Sequence, residues 1–117
     1  MKTNKTKNND ANAFEIGDDL EITKTTRRAA GAGTWVTGYI AGHKFEALVF
    51  PEHAECEDYE LGESRISKLW IQKRGQYASL TTVANFDRGW DIQPKNKAAW
   101  AIVDFLAAGL ADTIYHK

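Results

Sequence analysis

Two strand-length stretches, TWVTGYI from Thr34 and HKFEALVF from His43, are separated by only the dipeptide Ala41-Gly42. Both are rich in β-branched and aromatic residues, and a two-residue link between such stretches reads as a tight hairpin. If Ile40 pairs with His43, then Val36, Gly38, Ile40, Phe45, Ala47 and Val49 share one wholly apolar face. Phe45 then stands opposite Gly38 and fills the space of its missing side chain. A three-residue turn would shift one strand by one position and reverse half of this assignment. The apolarity of the first face favours the two-residue register.

Two further stretches, SRISKLWIQKR and ASLTTVANF, have the same character and are joined by Gly75-Gln76. DRGWDIQP reads as a turn region that closes the sheet. From Asn96 to Ile114 the pattern changes period. Ala99, Val103, Leu106, Leu110 and Ile114 recur at helical steps, and Ile102 and Phe105 widen the stripe. Pro94 and Asn96 suit a helix entry, with Asn96 as the cap. The expected architecture is α+β: an antiparallel meander of about four strands packed against one long C-terminal helix. Residues 34–117 would form this single domain. Residues 1–33 would be a disordered or weakly ordered arm, in which FEIGDDLEIT (Phe14, Ile16, Leu20, Ile22) offers a short edge strand and KTTRRAAGAG a flexible joint.

With 117 residues, the chain can bury a core without metal or disulfide staples. Its formal net charge of −1 disfavours a protein that grips duplex DNA through phosphates. Cys56 is the single cysteine, so no internal disulfide is expected. The polar N-terminal residues do not read as a signal peptide, and no apolar run is long enough to cross a bilayer. A cytoplasmic protein without a membrane partner is the expectation.

A single helix covers one sheet face. The other would hold Trp35, Tyr39, Lys44, Glu46 and Leu48, together with Ile66, Lys68, Trp70 and Gln72 if Leu69 and Ile71 point inward. Trp35, Tyr39, Lys44, Lys68 and Trp70 are the candidate interaction face. Such a surface can stack unpaired bases, pack on another protein or a second copy, or simply be amphipathic side chains shielding the sheet. The segment between the second and third stretches is acidic: Glu52, Glu55, Glu57, Asp58, Glu60 and Glu63, followed by the basic Arg65, Lys68, Lys73 and Arg74. The simplest reading is a solvated loop that neutralises the adjacent strand. The sharper one makes Glu55, Glu57, Asp58 and Glu60 a contact loop for a basic partner.

His53, Cys56 and Asp58 lack the number and spacing of metal ligands. A Cys-His nucleophile also needs an orienting group and an oxyanion pocket. GAG around Gly31 lacks the ending of a phosphate loop. Asp87 and Asp91 fit turn chemistry as well as a carboxylate pair, and Trp90 reads as a plug between sheet and helix. No catalytic residue, metal or cofactor is expected.

WVTGYIAGHKFEALVF, SRISKLWIQ and NFDRGWDIQP, followed by the Ala/Leu-rich helix, resemble a family of small uncharacterised proteins carried by bacteria, phages and other mobile elements. The resemblance runs from about Trp35 to Leu110. It implies one compact α+β domain of unknown function, with no catalytic residues to carry over, and an accessory role in a mobile element. The expected function is therefore non-enzymatic: protein contact, self-association included, through the outer sheet face or the acidic loop. The alternative is a single-stranded nucleic-acid-binding module on the aromatic and basic face.

Overall fold

A computed structural model describes residues 18–29 and 32–115. Expectations placed on residues 1–13, Phe14, Ile16 and Gly31 lie outside them. The described chain forms one antiparallel sheet, its strands adjacent in chain order: β1 Glu21–Arg27, β2 Thr34–Ile40, β3 His43–Val49, β4 Ile66–Arg74, β5 Leu80–Asp87 and β6 Trp90–Ile92. The helix α1, Lys97–Ile114, crosses β3 and β4 on one face. The class is α+β with one C-terminal helix, but the sheet has six strands rather than about four. β6 is three residues long, too short to show a period. β1 is exposed at every position except Ile22, so it carries no apolar alternation. Its Lys24-Thr25-Thr26-Arg27 segment is strand, not joint.

The β2–β3 register pairs Ile40 with His43 and Gly38 with Phe45. Ala41 and Gly42 both have positive φ, 51° and 74°, the conformation a two-residue hairpin needs. The Asp19 carboxylate accepts from the Ala41 N–H at 3.0 Å and steadies this turn. A Cβ on Gly38 would lie 2.4 Å from the Glu21 carbonyl oxygen and 2.9 Å from the Phe45 ring. Glycine is required here by the close approach of β1 as well as by Phe45.

Val36, Ile40, Phe45, Ala47 and Val49 are fully buried, and Ile102 and Leu106 of α1 lie in the same core. Burying a Leu, Ile or Phe side chain contributes about 1.5–3 kcal/mol, so this layer is the main source of stability. Asn96 caps α1 by accepting from the Ala99 N–H at 2.9 Å, as its position suggested. Trp90 does plug the junction: its ring meets Phe86 and Trp100 edge-on, at 5.2 and 5.9 Å between centroids. At the far end, the Tyr115 hydroxyl donates to the Val49 carbonyl at 3.1 Å and pairs with Thr34 Oγ1 at 2.8 Å.

Ile66 departs from its expected outward position. Leu48 pairs with Lys68 and Val49 with Ile66, which leaves Ser67 as the extra residue of a bulge. A bulge resets the alternation, so Ile66 and Leu69 both point into the core, at 0% and 1% exposure. The turn after β4 is also longer than Gly75-Gln76. It runs through Ser79, closed by Gly75 N–H to the Ser79 carbonyl at 2.9 Å, with Tyr77 at its tip.

Candidate functional site

Strand alternation puts three strips of side chains on the face that α1 leaves bare. Across paired strands these are Thr26, Trp35, Leu48, Lys68 and Asp87; then Lys24, Thr37, Glu46, Trp70 and Asn85; then Glu21, Tyr39, Lys44, Gln72 and Thr82. The sheet thus brings Trp35, Tyr39, Lys44, Lys68 and Trp70 onto one surface. Trp35 and Tyr39 are half-buried, and Trp70 is 39% exposed. Trp70 Nε1 donates to Thr82 Oγ1 at 2.9 Å, and the Arg74 guanidinium lies 5.0 Å over the Tyr39 ring. The lysines are matched by acids within the face: Lys44 to Glu46 at 3.9 Å and Lys68 to Asp87 at 3.8 Å. Lys24, Lys44 and Lys68 stand against Glu21, Glu46 and Asp87, so these strips are charge-balanced.

The acidic loop does not neutralise β4. Among the described residues, the ion pairs of the basic stretch run elsewhere: Arg65 to Asp112 of α1, and Lys68 to Asp87 of β5. Glu55, Glu57 and Asp58 are exposed, the latter two in a short 3-10 turn, Glu57–Tyr59. Glu60 is different. It is 7% exposed and turned into the loop. Its Oε2 accepts from His53 Nδ1 and the Arg65 N–H, and its Oε1 from the Ala54 N–H, each at 2.7 Å. Burial would raise its pKa, but the His53 and backbone hydrogen bonds outweigh burial and hold the carboxyl below the usual carboxylate range. Glu60 is a clamp inside the loop rather than a contact on its surface.

Sequence reasoning missed Arg65, which it read only as one of four basic residues. Its backbone feeds Glu60, and its guanidinium donates to the Pro51 carbonyl at 3.1 Å as well as to Asp112. It joins the two ends of the acidic loop to α1. The signal available was Glu60 and Arg65 flanking a Gly62 turn, which is weak. Arg88 was read only as turn chemistry; its guanidinium lies 5.8 Å over the Tyr59 ring and braces the loop from the β5–β6 turn.

Among the described residues no three His, Cys, Asp or Glu side chains gather as a metal site, and His53 is engaged with Glu60. No helix of the described residues is long and apolar enough to cross a membrane. The outer surface offers aromatic area, matched charges and hydrogen-bonding groups. No curated protein and no solved structure matches the chain. Residues 34–111, from the first residue of β2 to the last turn of α1, match a family model described as a domain of unknown function, DUF7678, and the chain belongs to that family.

Proposed function

We propose that this chain is a small non-enzymatic accessory protein of a mobile genetic element, acting in the cytoplasm by protein contact, with a second copy of itself docked on the open sheet face. The observation that carries this reading is the charge-balanced aromatic face. Trp35, Tyr39 and Trp70 keep ring surface in partial contact with water, and aromatic residues of this kind are enriched at interfaces. Equal numbers of lysines and carboxylates allow a two-fold-related copy to set cations against acids, as a self-complementary patch must. A surface that tracks phosphates needs uncommitted cations, whereas Lys44 and Lys68 each have a carboxylate within 4 Å. The mobile-element setting rests on the family resemblance alone.

Sedimentation across a concentration series tests the reading. A mass that doubles with concentration, and a folded Trp70→Ala variant that stays monomeric, are the expected results. A clean monomer at all concentrations overturns self-association. Tryptophan quenching by a single-stranded oligonucleotide, lost at high salt and on Trp70→Ala, would replace it with base stacking.

A further inference from the structure

The acidic loop arches over one end of the outer face and borders an open pocket of about 530 Å³ against β3 and β4. That is within the usual span of small-molecule sites, about 300–1,000 Å³. Leu48 and Phe50 supply apolar surface and Tyr59 an aromatic wall, while Arg28, Arg65, Lys68 and Arg88 border it. These four cations come from four places: the end of β1, the loop exit, β4 and the β5–β6 turn. Two acids also line the space, Glu52 and Glu60. Glu60 is already engaged by His53 and two backbone N–H groups. Asp87 is shared between Lys68 at 3.8 Å and Arg88 at 3.7 Å, so one carboxylate serves two cations. Arg65 is paired with Asp112, which leaves Arg28, Lys68 and Arg88 against Asp87 and the exposed Glu52.

The backbone adds an independent observation. Arg65 and Arg88 both sit at positive φ, 63° and 54°. Side chains other than Gly, Asn and Asp rarely occupy that region; at Arg88 the two-residue Arg88-Gly89 turn between β5 and β6 requires it, as at Ala41, whereas Arg65 lies in no such hairpin. Both residues border the pocket.

We propose that this pocket binds a small ligand built of one flat ring and one phosphate: a nucleoside monophosphate, either free or as the 5′ end of a strand. The ring packs against Phe50 and Tyr59. The phosphate takes guanidinium donors from Arg28 and Arg88, whose fork geometry matches it. This site is separate from the Trp70 region of the face and does not depend on self-association.

The test is an NMR titration of the full chain with each of the four ribonucleoside 5′-monophosphates, with inorganic phosphate, and with a short oligonucleotide carrying or lacking a 5′ phosphate. At least one mononucleotide is expected to saturate in the millimolar range or below, shifting the amides of Ala54, Ser67 and Arg88. Replacing Arg28 and Arg88 together by Gln should weaken it about tenfold or more, since each charge-assisted hydrogen bond carries that scale of energy. Lys95→Gln, outside the pocket, should not. Tighter binding of the 5′-phosphorylated strand than of any mononucleotide identifies a strand end; equal binding identifies the free nucleotide. The proposal is overturned if no mononucleotide saturates, if the Arg28 and Arg88 substitutions leave binding unchanged, or if inorganic phosphate binds as tightly as every nucleotide. A monomeric Trp70→Ala variant that still binds nucleotide separates this site from the dimer.

Discussion

The two faces of β3 differ along the first half of the strand. Phe45, Ala47 and Val49 are fully buried, while Lys44 and Glu46 between them keep about a third of their side-chain surface in water. Leu48, on the same side as Lys44 and Glu46, is nevertheless 4% exposed, because the acidic loop and the Gly33 backbone close over that corner. Burial on this sheet is decided by the layer that lies opposite. The helix seals one face over β3 and β4; the loop closes over one end of the other. The rest of that outer face, Trp70 included, stays in partial contact with water.

Substitutions on the two sides should separate sharply. Phe45→Ala removes a fully buried ring under α1, and core Phe→Ala changes cost about 3–5 kcal/mol. Urea denaturation should show that loss; a cost below about 1 kcal/mol would mean that the helix-covered side is not the core. At the loop-sealed corner, Glu60→Gln weakens a clamp of three hydrogen bonds and should cost about 2 kcal/mol. Faster amide exchange at Ala54 and Arg65 would locate the effect in the loop. Its pH dependence has a definite sign. The folded pKa is lowered, so the clamp stabilises fully above the ordinary carboxylate range and is lost as pH falls through the folded value. Glu60→Gln should remove that part of the acid sensitivity; an unchanged acid profile would assign it to other groups. On the bare surface, Trp70→Ala should cost only about 1 kcal/mol, since the ring is part-exposed and its indole N–H meets a side-chain hydroxyl. A loss as large as that of Phe45→Ala would mean the two faces are one core.

The hairpin, its register and the helix were legible because each is written locally. Alternation on either side of Ala41-Gly42 has one apolar solution, and α1 carries both its stripe and its Asn96 cap. What escaped was non-local. β1 is held by hydrogen bonding to β2 and shows no pattern of its own. The Ser67 bulge has no glycine to announce it, so Ile66 reads as outward until its partner Val49 is known. Within the candidate surface, Trp35, Tyr39, Lys44, Lys68 and Trp70 follow from strand period alone. Glu60 could not be told from Glu55, Glu57 or Asp58, because composition is blind to which carboxylate meets returning backbone N–H groups. The pocket is illegible for the same reason: its four cations are brought together by topology.

The Tyr115 hydroxyl joins Thr34 to the last turn of the fold, across 81 residues of chain. Every strand of the sheet pairs with its neighbour in sequence, so the meander can assemble through short-range closures, which favours fast folding. The Tyr115 contact belongs to the opposite class and is expected to form after the rate-limiting step. Tyr115→Phe should therefore leave the folding rate unchanged and raise the unfolding rate, by about fivefold for a loss near 1 kcal/mol. Stopped-flow traces that instead show slower folding would place this distant closure inside the nucleus. On the expected outcome, a single hydroxyl acts as a latch on the lifetime of the native state rather than on its formation.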